Sequence, residues 1–297
     1  MIRTIKIGLI GTATALTLGC GGPDASNLTH PPRKSSFPLF VTVPGNAAGT
    51  GKLYRIDAPI NLNGAAVPVA VLENLAFPSA VAVSRDGGVY ITERPTSTTG
   101  RIVKFVGENE PMLTIAENLL NPEGLAFDRS GKMYVAEMSG GRISVVNSDK
   151  TLTEVVTGLA GPRSLSTDEN DNLYVAESSS GTVSRVIPDG TKKELANSLK
   201  NPVLSGPGLV GNLFYLTNGS GLGDGRAVKI SEEGSAETYL DKLINPKSSA
   251  WEDATILYVA EGAPAFRILK YSRVTNIRTE VAALDGEPHS IAFTPVD

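Results

Sequence analysis

The chain has one cysteine, two histidines and one tryptophan in 297 residues, and aromatic residues make up only 6%. A single Cys excludes a disulfide framework and a Cys-ligated zinc site. Two histidines, His30 and His289, are too few for a His-rich metal centre or a relay of several imidazoles. The scarcity of aromatics argues against a protein that cages carbohydrate or nucleobase between rings. A basic block is missing as well. The 27 Lys and Arg are outnumbered by 31 Asp and Glu, for a net charge of −4. Nucleic acid, whose binding rests on phosphate neutralisation, is therefore not an expected partner. What is present, 41% hydrophobic and 20% charged residues, is the composition of a folded globule.

Residues 1–20, MIRTIKIGLIGTATALTLGC, combine a positive start (Arg3, Lys6) with a short apolar stretch from Ile7 to Leu18 that ends in small residues and Cys20. Twelve residues are too few to cross a hydrocarbon core of about 30 Å, so a transmembrane helix is the poorer reading. The segment resembles a bacterial lipoprotein signal, which implies that the Cys20 thiol is diacylated and anchors the chain to the cell envelope. The same resemblance, with Gly21 in place of Asp, implies the outer membrane if the host is Gram-negative. The alternative is ordinary cleavage after Ala13-Thr14-Ala15, which leaves Cys20 a free thiol. Loss of Arg3 and Lys6 with the signal lowers the 27 basic residues to 25 against 31 acidic, a net of −6. Residues 21–37, rich in Gly, Pro and Ser, read as a flexible tether, with His30 a solvated residue within it.

The strongest signal is internal repetition. Six segments open with a residue–Pro step followed by a short apolar run: Pro78 (PSAVAVS), Pro122 (PEGLAFD), Pro162 (PRSLSTD), Pro202 (PVLSGPG), Pro246 (PKSSAWE) and Pro288 (PHSIAFT), spaced by 44, 40, 40, 44 and 42 residues. About ten residues on comes a second strand pattern, VYITE, MYVAE, LYVAE, LFYLTN or LYVAE. A third (RIVKF, RISVV, TVSRV, AVKI, RILKY) and a weaker fourth follow. Four short strands per unit, joined by Asp/Gly turns, describe β-meanders that cannot bury both faces alone. Radial packing solves this and protects strand edges. The predicted fold is all-β: a six-bladed β-propeller over residues 38–297, of four-stranded antiparallel blades. Its last blade is composite, with PLFVTV, GKLYRID and VPVAVLENL closed by the C-terminal PHSIAFT.

The pattern P-x-G-[LI]-A-[VF]-D … LYVAE … GRI resembles NHL-repeat propellers, and more distantly the gluconolactonase/strictosidine-synthase-like group and virginiamycin B lyase. That likeness implies a propeller but not one function, since propellers serve as enzymes and as binding platforms.

Turns in a meander alternate between its two ends, so the residue–Pro steps share a face with the strand-two-to-three loops, which are the longer ones. Glu93, Glu137, Glu177 and Glu261 recur at the end of strand two, with Asn218 in the deviant fourth unit. Recurrence points to a shared structural duty, such as accepting backbone N–H bonds at a loop. The post-proline residues differ in every unit: Ser79, Glu123, Arg163, Val203, Lys247 and His289. They should lie near the channel mouth, where a heterogeneous ionisable ring is costly to desolvate unless it pairs up or binds something polar. The ligand-binding candidates are accordingly Ser79, Glu123, Arg163, Lys247 and His289, for a small polar ligand or an envelope protein partner, on a chain expected to be a monomer.

An enzymatic reading takes His289, as general base, and Glu123 as catalytic candidates. The gluconolactonase likeness implies a divalent cation, Ca²⁺ or Mg²⁺. Pro122-Glu123-Gly124 stands where that family has P-N-G, and Tyr134-Val135-Ala136-Glu137 where it has Y-x-x-D. Arg163 and Lys247 would repel a cation there, and the residues alone call for no cofactor. A Ser-His-Asp relay would depend on His289, and the nucleophile elbow G-x-S-x-G is missing. The Gly-rich run 219–225 lies between strands with no helix to follow, which marks it as a surface loop rather than a phosphate cradle. Trp251, on the innermost strand of the fifth unit, is expected to pack between blades.

Overall fold

A computed structural model describes residues 34–57, 65–96, 98–108, 110–208, 212–217, 223–231, 235–253 and 255–296. Cys20, His30, Asn218 and most of the 219–225 loop lie outside the described residues, so the lipidation site and most of the tether do too. Strand β1 (Lys34–Val43) begins four residues before the expected boundary, with a register shift between Ser36 and Leu39. It is followed by β2 (Gly51–Ile56) and β3 (Val69–Leu75). Four meanders come next: β4 (Val81–Val83), β5 (Val89–Glu93), β6 (Gly100–Phe105) and β7 (Leu113–Leu119); β8 (Pro122–Phe127), β9 (Met133–Glu137), β10 (Arg142–Val146) and β11 (Leu152–Val156); β12 (Pro162–Thr167), β13 (Leu173–Glu177), β14 (Thr182–Val186) and β15 (Lys192–Ala196); β16 (Pro202–Gly208), β17 (Asn212–Thr217), β18 (Gly225–Ile230) and β19 (Ala236–Leu243). The last meander is β20 (Pro246–Trp251), β21 (Ile256–Glu261), β22 (Arg267–Ser272) and β23 (Ile277–Ala283), and the described chain ends in β24 (Ser290–Val296).

These strands pair into six four-stranded antiparallel sheets. Five are sequential meanders. The sixth has the order β24-β1-β2-β3, so the last strand completes a sheet begun by the first three, as the composite arrangement requires. The innermost strands neighbour one another in the order β4, β8, β12, β16, β20, β24 and back to β4. Six apolar clusters each join two adjacent sheets. Ile102 and Val135 meet between the first and second, and Ile143 and Val175 between the second and third. Leu39 and Tyr258 meet between the closing sheet and the fifth. This is a β-propeller of four-stranded blades. Trp251 packs with Tyr239 in the cluster joining the fourth and fifth sheets, as expected.

The residue–Pro connections share one local design. The residues four and one before each proline adopt positive φ: Asn74 and Phe77, Asn118 and Asn121, Gly158 and Gly161, Ser198 and Asn201, Lys242 and Asn245. Asn and Gly tolerate this left-handed region best, which is why they dominate these places. The leucine between them (Leu75, Leu119, Leu243) is fully buried. The connection leading to β24 carries no such residues, and Asp285 replaces the leucine, accepting bonds from Lys52 Nζ (2.8 Å) and Tyr54 Oη (2.6 Å). Pro78, Pro122 and Pro246 also crowd a glycine of the preceding sheet: Gly51, Gly100 and Gly225. A Cβ on Gly100 would fall 2.3 Å from Pro122 Cδ, so the Gly of the G-R-I pattern is a packing requirement.

Candidate functional site

The recurrent glutamates do what recurrence implied. Each reaches back to the N–H two residues before its proline: Glu93 Oε1 accepts from Ala76 at 2.7 Å, Glu137 Oε2 from Leu120 at 2.9 Å, Glu177 Oε2 from Ala160 at 2.8 Å and Glu261 Oε1 from Ile244 at 2.6 Å. A cation from the same sheet neutralises each one: Arg101, Arg142, Lys192 and Arg267. Burial alone would raise the Glu137 carboxyl, but hydrogen bonds from Arg142, Leu120 N–H and Ser144 outweigh it and hold it below the usual range. These four carboxylates are internal struts.

The post-proline residues divide. Glu123, Arg163 and Lys247 each sit where the ladder slips by one residue, because Pro122, Pro162 and Pro246 pair with Glu137, Glu177 and Glu261 while the next residue but one pairs with the following partner. Such a bulge leaves one residue unpaired and re-aims its side chain. Ser79 departs from the expectation of a mouth-facing hydroxyl. It is fully buried, and its Oγ donates to Pro122 O at 2.7 Å and lies 3.1 Å from Thr92 Oγ1. Val203 also turns away, into the apolar cluster between the fourth and fifth sheets. Both are short side chains that reach a partner nearer than the axis.

The remaining four gather. His289 Nε2 is 3.6 Å from Glu123 Oε2 and 3.4 Å from Arg163 Nη2, and Nδ1 is 3.3 Å from Ser79 O. Thr42 sets this geometry by accepting the His289 N–H on its carbonyl at 2.8 Å and donating its hydroxyl to Ser79 O at 2.7 Å. Glu123, with a side chain only 5% exposed, pairs through Oε1 with Arg94 at 3.2 Å, while its buried Oε2 has no hydrogen-bond partner among the described residues. Lys247 pairs with Glu287 at 2.8 Å. Arg163 forms no ion pair among the described residues. Arg94 escaped the sequence reading. The available signal was that the residue after each recurrent Glu varies, as Arg94, Met138, Ser178 and Gly262 do.

Burial raises the Glu123 carboxyl above its ordinary range, against the opposing pull of Arg94 and Arg163. Burial first, then Arg163, Arg94 and Lys247, push the His289 imidazole down to about 3, so the ring is neutral at physiological pH. A base that weak is ill suited to proton abstraction near neutrality. The donor set also suits a Ca²⁺ or Mg²⁺ ion poorly. Two guanidiniums and an ammonium act on the cluster, and among the described residues no group of three or more His, Cys, Asp or Glu is placed to hold a metal. Glu123 and Glu137, the suggested ligands, do different work, since Glu137 is spent on Arg142 and Leu120.

No protein-family model matches the chain, and no curated protein does. Solved structures are similar in fold. A chain of the nidogen/laminin complex is 20% identical with a TM-score of 0.70, covering 86% of this chain and 98% of that one. A streptogramin B lyase is 18% identical with a TM-score of 0.59, covering 88% and 90%. TolB from Acinetobacter baumannii is 15% identical with a TM-score of 0.65, covering 89% and 67%.

Proposed function

We propose that the six sheets are the blades of one NHL-like, six-bladed propeller, held outside the cytoplasm by a lipid on Cys20. Acting as a monomer, it binds a small polar or anionic group, free or displayed by an envelope protein, at the mouth lined by Arg163, Lys247 and His289. The observation that carries this reading is Arg163: a guanidinium with no ion pair among the described residues, aimed by a bulge at a neutral imidazole. A planar guanidinium is suited to carboxylate and phosphate groups. The likeness to a chain from a protein–protein complex agrees with a binding role. A thermal-shift and calorimetric screen with small carboxylates and acidic peptides tests it. Stabilisation by at least one ligand should vanish in Arg163→Ala and weaken in Lys247→Ala; a response indifferent to both substitutions overturns the reading. Mass spectrometry of the mature N-terminus should find acylated Cys20, and an unmodified thiol removes the anchor.

The second reading, a divalent-metal-dependent lactone hydrolase or a lyase in the channel, has the 3.6 Å approach of Glu123 and His289 in its favour, and the weak base and the surrounding cations against it. Stoichiometric Ca²⁺ or Mg²⁺ in chelator-free protein would favour it over binding alone.

A further inference from the structure

Two groups of opposite charge crowd one nitrogen lone pair. Nδ1 of His289 faces the Ser79 carbonyl oxygen, which can only accept, so the ring proton resides on Nδ1 and Nε2 carries the lone pair. Arg163 Nη2 donates to that lone pair at 3.4 Å. Glu123 Oε2 lies 3.6 Å from the same nitrogen, buried and without a hydrogen-bond partner among the described residues. A carboxylate oxygen facing an imidazole lone pair is an unsatisfied arrangement that one proton between them would resolve.

Burial foremost, and positive charge after it, keep that proton away. Arg163 on β12, Arg94 in the loop after β5 and Lys247 on β20 all act on the ring. Glu123 offsets Arg94, and Glu287 offsets Lys247. Arg163 makes no ion pair among the described residues and meets the Glu123 carboxylate only at longer range, so of the three charges it is the least neutralised and the one a ligand can change.

We propose that the mouth takes a carboxylate-bearing ligand on Arg163, and that binding brings one proton onto the Glu123–His289 pair. This rests on the binding reading above and names its ligand class and its coupling. The carboxylate engages the guanidinium and neutralises the charge held against Nε2. The freed lone pair accepts a proton from solvent, and the new N–H donates to Glu123 Oε2, giving the buried oxygen the partner it lacks. Ligand charge and proton cancel, and the only covalent bond formed is N–H. By reciprocity, acid tightens the ligand as the ligand tightens the proton.

The test uses the full chain with lactate and N-acetylglycine, carboxylates that stay ionised above about pH 5.5, with their amides as neutral controls. Calorimetry in buffers of different ionisation enthalpy should show uptake of more than half a proton per carboxylate bound near pH 6. Affinity should fall by about three- to tenfold per pH unit as pH rises towards 6, matching uptake of between half a proton and one. Imidazole ¹⁵N shifts, assigned between the two histidines with His289→Gln, should pass from neutral to protonated on binding. Carboxylate binding that requires Arg163 but takes up no proton and leaves His289 neutral overturns the coupling and spares the binding reading. Binding of the amides equal to that of the acids overturns the ligand class. No binding of either carboxylate above the millimolar range, or binding that survives Arg163→Ala, overturns both.

Discussion

Glu123 and Glu137 are fourteen positions apart in the chain, and burial raises both carboxyls, yet their net shifts are opposite. Glu137 gains more from Arg142, Ser144 and a backbone N–H than it loses on leaving water, so its carboxyl is depressed. Its contribution to stability is complete above the unfolded value, near 4.3, and is lost as pH falls through the lower folded value. Removing one partner of such a buried pair costs about 3–5 kcal/mol. Glu137→Gln should therefore unfold at clearly lower urea concentration at neutral pH, with the gap to the parent narrowing in acid. Glu123 has the reverse sign. Its raised carboxyl makes the ionised form a cost at neutral pH that is relieved as pH falls, so Glu123→Gln should melt no lower than the parent at pH 7. A melting point several degrees below it would show that the pairing with Arg94 outweighs burial. The sequence made this division legible, because one glutamate recurs with the unit and the other does not. It hid Arg94, whose partner belongs to the next sheet, and it hid the inward turn of Ser79 and Val203. Both follow from which neighbour a side chain can reach, and spacing along the chain does not encode that.

At the scale of the element, the residue–Pro step is a packing device. Two left-handed residues straddle a buried leucine, and the proline that follows presses on a glycine of the sheet before it. Gly100→Ala would drive its Cβ into the Pro122 ring, a clash of the overpacking kind that costs about 1–3 kcal/mol. The urea midpoint should fall accordingly, and an unchanged midpoint would mean that the two sheets slide apart freely. Asn118→Val places a β-branched side chain at φ 60°, where L-residues are strained by roughly 1–2 kcal/mol. Thermal melting should show the drop, and Asn118→Gly should not. The strands themselves were readable from their apolar alternation and the turns from Asp and Gly. The bulges were not, since each falls at the first residues of its strand, ahead of the apolar alternation that marks the rest.

At the scale of the molecule, stability is shared between neighbours around the ring, with each apolar cluster belonging to two sheets. Strand β24 therefore supports two clusters through Phe293, Ile291 and Ala292 as well as its ladder with β1. A chain ending at Gly286 should lose cooperative melting in circular dichroism; a transition as sharp and as high as the parent's would mean that the first three strands hold the structure without it. The composite sheet was legible because the repeat starts and stops out of phase at the two ends of the chain.

The unpaired residue of each bulge has a wider consequence. Because Glu123, Arg163 and Lys247 hang outside the ladder, exchanging them disturbs no strand-to-strand bond. What the opening recognises can thus be rewritten one letter at a time while the framework stays as it is, and a small library varied at these three positions alone should yield folded proteins with different tastes.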